Sequence, residues 1–153
     1  MDAVDRSIID ALRSNARATY TELAREVGLS APAVHDRVSK LEAQDVITGY
    51  HAAVAPEALG YSMSALVGVF LSDNADEDAV ADDLAVLAAV EDCWFVAGEE
   101  SFVVKVRVPD VLGLETAIRA LSKIKGVART RSTVVLSTRF EGRVQSAGEP
   151  QPE

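Results

Sequence analysis

The amino-acid sequence predicts an α+β protein, helical in its first third and mixed in strands and helices beyond it. Two observations predict this division. Through the first fifty residues, apolar side chains recur at helical spacing between capping residues and a glycine. After Ser62, short β-branched runs alternate with two helical patterns. With 153 residues, the chain has room for two small domains.

Three helices are predicted in residues 1–50. The first runs from about Ala3 to Ser14. The second begins after Thr19, which forms a capping-box pattern with Glu22. It ends at Gly28, and Ser30 caps the third helix. Only three residues join the second and third helices, and this short glycine-containing connection is typical of a helix-turn-helix.

The rest of the chain predicts a β-α-β-β-α-β order. We expect a short strand and connector at 46–61, strands at 64–71, 93–97, 101–108 and 127–138, and helices at 76–90 and after Asp110. Residues 98–100 form the predicted hairpin loop. This order is the split βαβ, or ferredoxin-like, arrangement, with both helices on one side of an antiparallel sheet. Strand residues make the other face largely apolar in this prediction, so a partner subunit is expected to cover it.

These elements predict the domain organisation. A helix-turn-helix domain at 1–50 is followed by a strand and connector at 51–61 and by a ferredoxin-like domain at 62–140. Residues 141–153 are rich in Gly, Pro and Glu and are predicted to be a disordered tail.

The composition predicts a soluble globular protein, with 48% hydrophobic and 25% charged residues. No apolar run approaches the roughly 20 residues of a membrane helix, and the first residues lack the pattern of a secretion signal. Cys93 is the single cysteine, predicted to be a buried structural thiol that fits a reducing compartment. We therefore expect a cytoplasmic protein. His35 and His51 have no partners at metal-ligand spacing, so no metal site is predicted.

The net charge of −9 argues against a nucleic-acid partner, but its distribution does not. Neither Lys nor Arg occurs between Lys40 and Lys105, whereas residues 17–40 contain four basic and three acidic side chains. The acidity lies mainly in the middle of the chain. The overall charge is therefore a poor guide to what the first domain binds.

The third predicted helix has an unusual exposed side. Val34, Val38 and Leu41 face inward at helical spacing, while the opposite side carries short and polar residues. Such a side is either simply solvated or contacts DNA. The preceding helix and tight turn favour a helix that enters the major groove. Asp36 would repel phosphate unless it accepts from a cytosine amino group or pairs with Arg37 or Lys40.

The stretch DRSIIDALRSNARATYTELAREVGLSAPAVHDRVSKLEAQDVITGY, followed by PEALGY, resembles the Lrp/AsnC, or feast/famine, regulators of bacteria and archaea over residues 2–140. The resemblance implies a DNA-binding regulator without catalytic residues or cofactor, which forms homodimers that assemble into octamers and senses amino acids between dimers. The helix-turn-helix residues predicted to contact double-stranded DNA are Arg17, Tyr20, Thr21, Arg25, Ser30, Pro32, Ala33, His35, Asp36, Arg37, Ser39 and Lys40.

The resemblance also assigns the effector to a loop and a facing strand. The predicted residues are Val96, Ala97, Gly98, Glu99, Glu100, Ser101, Thr130, Arg131, Ser132 and Thr133. Loop N–H groups can bind a carboxylate, and Glu99 or Glu100 can meet an α-ammonium. A plain solvated hairpin is the alternative. The sequence departs from the family at Ser101, where an acid is frequent, and at Asp45, where glycine is usual and a left-handed C-cap is predicted.

Two other functions agree with the sequence. One is an architectural DNA-binding protein without an effector, in which the loop is only a turn. The other is a regulatory subunit of amino-acid metabolism, which would not bind DNA.

Overall fold

The computed structural model describes residues 1–143, which form two compact units. The first comprises Met1–Ala53 and the segment that begins at Phe140, and the second comprises Val54–Arg139. Residues 144–153 of the predicted disordered tail lie outside the described residues.

Three helices build the first unit: α1 (Ala3–Ser14), α2 (Tyr20–Val27) and α3 (Ala31–Ala43). These helices and their predicted caps are confirmed, because local hydrogen bonds determine each end. The side chains that the helices bury against one another form one cluster: Ile8, Leu12, Leu23, Ala24, Val34 and Val38.

The strand predicted after α3 is wrong. Within the described residues 46–55 no strand forms, and the next element is a short 3₁₀ helix at Pro56–Leu59. The chain leaves α3 through Asp45, at φ 54°, which confirms the left-handed C-cap. Among residues 1–143, no strand pairs with the β-branched residues that follow, and a strand requires a partner.

The second unit has the predicted ferredoxin-like order. Its elements are β1 (Met63–Leu71), α4 (Glu77–Ala85), β2 (Val90–Phe95), β3 (Phe102–Val108), α5 (Val111–Lys123) and β4 (Val127–Val135). The antiparallel sheet has the strand order β2-β3-β1-β4. Both helices contribute to one core on the same face of the sheet, formed by Ala65, Val67, Val69, Val80, Leu84, Phe102, Val104, Val106, Val108, Leu114, Ala117 and Leu121.

Several predicted boundaries shift. Helix α4 ends at Ala85, five residues before the predicted end, because Val90 is already paired with Val106 in the sheet. Strand β2 therefore begins three residues earlier than predicted. Cys93 is exposed rather than buried, since β2 is an edge strand that pairs only with β3. Partial burial nevertheless raises the pKa of the Cys93 thiol, so it is not an activated nucleophile.

No helix within residues 1–143 is long and apolar enough to cross a membrane. The same residues contain no cluster of three or more His, Cys, Asp or Glu side chains that could hold a metal ion.

Candidate functional site

Hydrogen bonds fix both the beginning of α2 and the turn between α2 and α3. At the beginning of α2, the Glu22 carboxylate accepts from the Thr19 backbone N–H at 2.7 Å, and its hydrogen bonds with Thr19 lower the pKa of Glu22. At the turn, the Leu29 N–H donates to the Ala24 carbonyl at 3.0 Å. Gly28 adopts φ 70°, a left-handed conformation that suits glycine, and the Ser30 hydroxyl accepts from the first turn of α3. The sequence therefore presents α3 at a defined angle to α2.

The exposed side of α3 carries a small polar cluster. The rings of His35 and Tyr20 meet edge to face with centroids 5.1 Å apart. The His35 Nδ1 lies 3.5 Å from an Asp36 carboxylate oxygen, which makes an ion pair when the imidazole is protonated. Asp36 thus pairs with its neighbour rather than with Arg37 or Lys40, and its side chain stays 85% exposed.

Arg37 points away from this cluster. Its Nη1 donates to Asp2 at 2.7 Å and to Asp5 at 2.6 Å, at the start of α1. These two carboxylates raise the pKa of Arg37 further above its ordinary value. The guanidinium is therefore already neutralised within the first unit.

The other predicted DNA-contacting residues lie mainly on the surface. The exposed ones are Arg17, Tyr20, Thr21, Arg25, Ser30, Pro32, His35, Asp36, Ser39 and Lys40, whereas Ala33 and Arg37 are half-buried. Short side chains flank the beginning of α3, so its backbone can approach a partner closely.

In the second unit, one ion pair joins the two predicted effector segments. The Glu100 carboxylate pairs with the Arg131 guanidinium across strand β1. Only 14% of the Glu100 side chain is exposed, because it lies against Gly68. A Cβ at Gly68 would come within 2.6 Å of the Glu100 Cγ, so this glycine makes room for the acid.

The loop before β3 is longer than predicted. Strand β2 ends at Phe95 and β3 begins at Phe102, which leaves a six-residue connection instead of three. The amides of Val96 and Ser101 are used, donating to Ser101 and Val69 carbonyls respectively. Those of residues 97–99 make no hydrogen bond to other described residues and are available to an anion.

The facing strand divides its predicted residues between two sides of the sheet. Thr130 and Ser132 pair in register with Val69 and Val67, whose side chains enter the core. Arg131 and Thr133 alternate with them and lie on the open face. The structure therefore places only Arg131 and Thr133, among the predicted residues of this strand, on the same face of the sheet as Glu100.

The open face is less apolar than predicted. Phe70 is only 7% exposed because the Arg129 guanidinium lies 3.4 Å from its ring centroid. At the other edge, Glu91 accepts from Arg107 at 2.7 Å and Lys105 at 2.9 Å. Burial raises the pKa of Glu91, but these two cations outweigh it and lower the pKa. Charged pairs thus cover strand residues that the sequence pattern placed on an apolar surface.

A cavity of about 390 Å³ lies elsewhere in the second unit, between α5 and residues 87–90. Its walls are mainly apolar, and none of the predicted effector residues lines it.

Comparison with known families agrees with both units. Residues 1–42 match the AsnC-type helix-turn-helix domain, and residues 64–145 match the Lrp/AsnC ligand binding domain. The chain belongs to the Lrp/AsnC family. The resemblance noted in the sequence is thereby confirmed over both halves of this Lrp/AsnC protein.

Its similarity to individual relatives extends over nearly the whole chain. The HTH-type transcriptional regulator LrpA of Mycobacterium tuberculosis is 40% identical over 143 residues, which cover 94% of this chain and 95% of LrpA. Regulatory protein AsnC of Escherichia coli K12 is 32% identical, with 89% and 88% of the two chains covered.

Solved structures of relatives have the same fold. The crystal structure of M. tuberculosis LrpA has a TM-score of 0.87 at 38% identity and covers 96% of this chain and 100% of that one. A feast or famine regulatory protein of M. tuberculosis, complexed with L-methionine, has a TM-score of 0.89 at 39% identity, with 95% and 99% covered.

Sequence reasoning missed two contacts in this Lrp/AsnC chain. The Arg37 pairs with Asp2 and Asp5 join residues more than thirty positions apart, and no local pattern reveals them. The close packing of the Glu100 side chain against Gly68 was also missed, although a glycine inside a strand is a recognised sign of close approach by another group.

Proposed function

We propose that this protein is a sequence-specific transcriptional regulator that reads DNA through α3 and responds to a small amino acid bound by the second unit. The observation that carries the proposal is the fixed α2–turn–α3 pair, whose exposed side is short and polar, in a chain whose relatives are transcription regulators. The predicted domains, 1–50, 51–61 and 62–140, divide these two tasks.

On the DNA side, α3 supplies the contacts to bases. His35 and Ser39 are close enough to its exposed pole to reach base edges, and Lys40 reaches a phosphate. Arg17 and Arg25 bind the flanking backbone. Tyr20, Thr21, Ser30, Pro32 and Ala33 line the approach, and Asp36, paired with His35, accepts from a cytosine amino group.

On the effector side, the zwitterion of an amino acid fits a site that already contains one acid and one base. The ammonium group binds Glu100 and displaces Arg131, while the free amides of residues 97–99 bind the carboxylate. Val96, Ser101 and Thr133 border this site. The position of Thr130 and Ser132 on the core side makes their contribution indirect.

One copy of the first unit, here called a DNA-binding head, has little positive charge and therefore binds DNA weakly. Affinity then depends on assembly of several copies. We propose a homodimer that assembles into an octamer and acts on DNA in the cytoplasm, associated with the nucleoid. Several heads then bind one DNA molecule together. An effector bound between dimers changes the spacing of the heads, and its coupling to DNA binding is reciprocal.

A salt titration of DNA binding tests the role of α3. We expect log affinity to fall linearly with log salt for the wild type, and the Ser39→Ala/Lys40→Ala variant to bind more weakly with a shallower slope. Lys125→Ala on the second unit is the matched control and is expected to bind as the wild type does. Equal affinity and slope for wild type and the double variant would exclude α3 as the reader. No DNA binding at all would favour the regulatory-subunit alternative.

Calorimetry with each of the twenty amino acids tests the effector site. We expect at least one to bind, Glu100→Gln to weaken it at least tenfold, and the exposed neighbour Glu99→Gln to leave it unchanged. Heat from none of the twenty would favour the architectural alternative. A ligand that binds Glu100→Gln normally would place the effector elsewhere, and the 390 Å³ cavity beside α5 is then the next site to test.

A further inference from the structure

The first residues of α1 and the middle of α3 share a single network of hydrogen bonds. Asp2 and Asp5 form a reciprocal cap: the Asp5 N–H donates to Asp2 Oδ1 at 2.8 Å, and the Asp2 N–H donates to Asp5 Oδ2 at 2.9 Å. The second oxygen of each carboxylate accepts from Arg37. The cap and the link to α3 therefore depend on the same two side chains.

This network is partly sheltered from water. The side chains of Arg37 and Asp5 are 34% and 16% exposed. The Asp5 backbone N–H, followed by Arg37, lowers the pKa of Asp2 to about 2, so Asp2 is charged at neutral pH where it meets the guanidinium. Without Arg37, two carboxylates would face each other with no cation between them.

The apolar contacts of α3 do not fix its rotation about its own axis, and the Arg37 network can do so. Val34 and Val38 hold the helix against α1 and α2 through apolar contacts, which are not directional. A rotation of α3 by a few degrees would preserve that burial but would move His35 and Ser39 relative to a groove. Hydrogen bonds from the flank at Arg37 are directional and oppose this rotation.

We propose that Arg37 is a positioning residue, which sets the rotation of the recognition helix through Asp2 and Asp5 and does not bind a DNA phosphate. The inference rests on the proposed reading of DNA by α3. Both N–H bonds of the Arg37 Nη1 are used by these two carboxylates, whose negative charges also repel a phosphate. Sequence specificity then depends on Asp2, Asp5 and Arg37, none of which contacts a DNA base in this proposal.

The experiment compares affinity and salt dependence on a duplex that the wild-type protein has selected from a random-sequence library, and on a scrambled duplex. For Arg37→Ala we expect the ratio of selected to scrambled affinity to fall at least tenfold with no change in the salt slope. Lys40→Ala is the contrast, because loss of a phosphate contact lowers the slope by about 0.9 per bound head and preserves the ratio.

Asp5→Asn distinguishes most directly between a positioning role and a phosphate-binding role for Arg37. The amide oxygen still caps the Asp2 N–H, but one of the two charges that hold Arg37 is gone. We expect a loss of ratio smaller than that in Arg37→Ala, again with an unchanged slope, and partial recovery of the ratio in Arg37→Lys. All variants are measured at a temperature at which circular dichroism shows them folded.

A shallower slope for Arg37→Ala, or a gain in DNA affinity for Asp5→Asn, would overturn the inference, since both are expected of a phosphate ligand. If Arg37→Ala does not fold, Asp5→Asn and Arg37→Lys decide the question by the same criteria. Failure of the wild type to select any duplex would refute the reading role of α3 itself, and the inference with it.

Discussion

Replacing Asp45 with glycine is expected to stabilise the protein. Asp45 is the only residue within 1–143 other than glycine with a positive φ, 54°. It occupies the left-handed position of a complete C-terminal cap. The Asp45 N–H donates to the Glu42 backbone carbonyl at 3.0 Å, and the Val46 N–H donates to the Leu41 backbone carbonyl at 2.9 Å. Glycine preserves both bonds and removes the conformational strain.

The magnitude follows from three terms, of which only the entropy of glycine opposes the gain. A left-handed conformation costs an ordinary L-residue roughly 1–2 kcal/mol, and somewhat less for aspartate. Glycine loses about 0.5–1 kcal/mol more conformational entropy on folding. Removing a negative charge from the end of α3, where the helix dipole is also negative, adds a few tenths of a kcal/mol. The net expected gain in the free energy of unfolding is about 0.5–1 kcal/mol.

Thermal and urea denaturation followed by circular dichroism measure this gain. We expect Tm to rise by about 1–4 °C if the chain unfolds as one unit, and by more if the first unit unfolds alone. Asp45→Asn, which removes only the charge, should lie between wild type and Asp45→Gly, and Asp45→Ala should fall below wild type. A lower Tm for Asp45→Gly, or equal values for the glycine and alanine variants, would refute the reasoning.

Two further predictions concern other parts of the chain. Gly68→Ala should weaken amino-acid binding at least tenfold in calorimetry, because its Cβ would displace Glu100. The exposed Lys123→Ala on α5 is the control. Unchanged binding in Gly68→Ala would show that the position of Glu100 against Gly68 does not matter for the effector. Burial, followed by the hydrogen bond to Glu42, raises the pKa of Tyr50 from 10.0 to about 12. The contribution of the protonated Tyr50 phenol to the free energy of unfolding is therefore complete below about pH 10 and is lost as pH rises towards 12. Tyr50→Phe should remove the absorbance titration near pH 12 and flatten that loss; a phenol that titrates at pH 10 would contradict the contact.

Local features of the sequence predicted the helices of the first unit well. Thr19 with Glu22 and the Gly28–Ser30 turn act within a few residues, so their meaning does not depend on the rest of the fold. Asp45 belongs to the same class, since backbone geometry at a helix end determines which residue fits.

Features that depend on distant partners were predicted poorly. The apolar residues 86–90 continue the helical pattern of α4, but pairing with β3 takes Val90 into the sheet. The apolar surroundings of Cys93 suggested burial, whereas the position of β2 at the sheet edge decides its exposure. The commitment of Arg37 to α1, and the division of residues 130–133 between two faces, likewise follow only from the assembled fold.

The arginines above Phe70 also determine how β4 aligns in the sheet. This edge strand buries few apolar side chains of its own, so hydrophobicity specifies its register weakly. Arg129 and Arg131 lie opposite Phe70 and Gly68. A slip by one residue would turn both guanidinium groups towards the core beside Val67 and Val69, where an unpaired charge is strongly disfavoured. The two charges thus exclude the misaligned sheet.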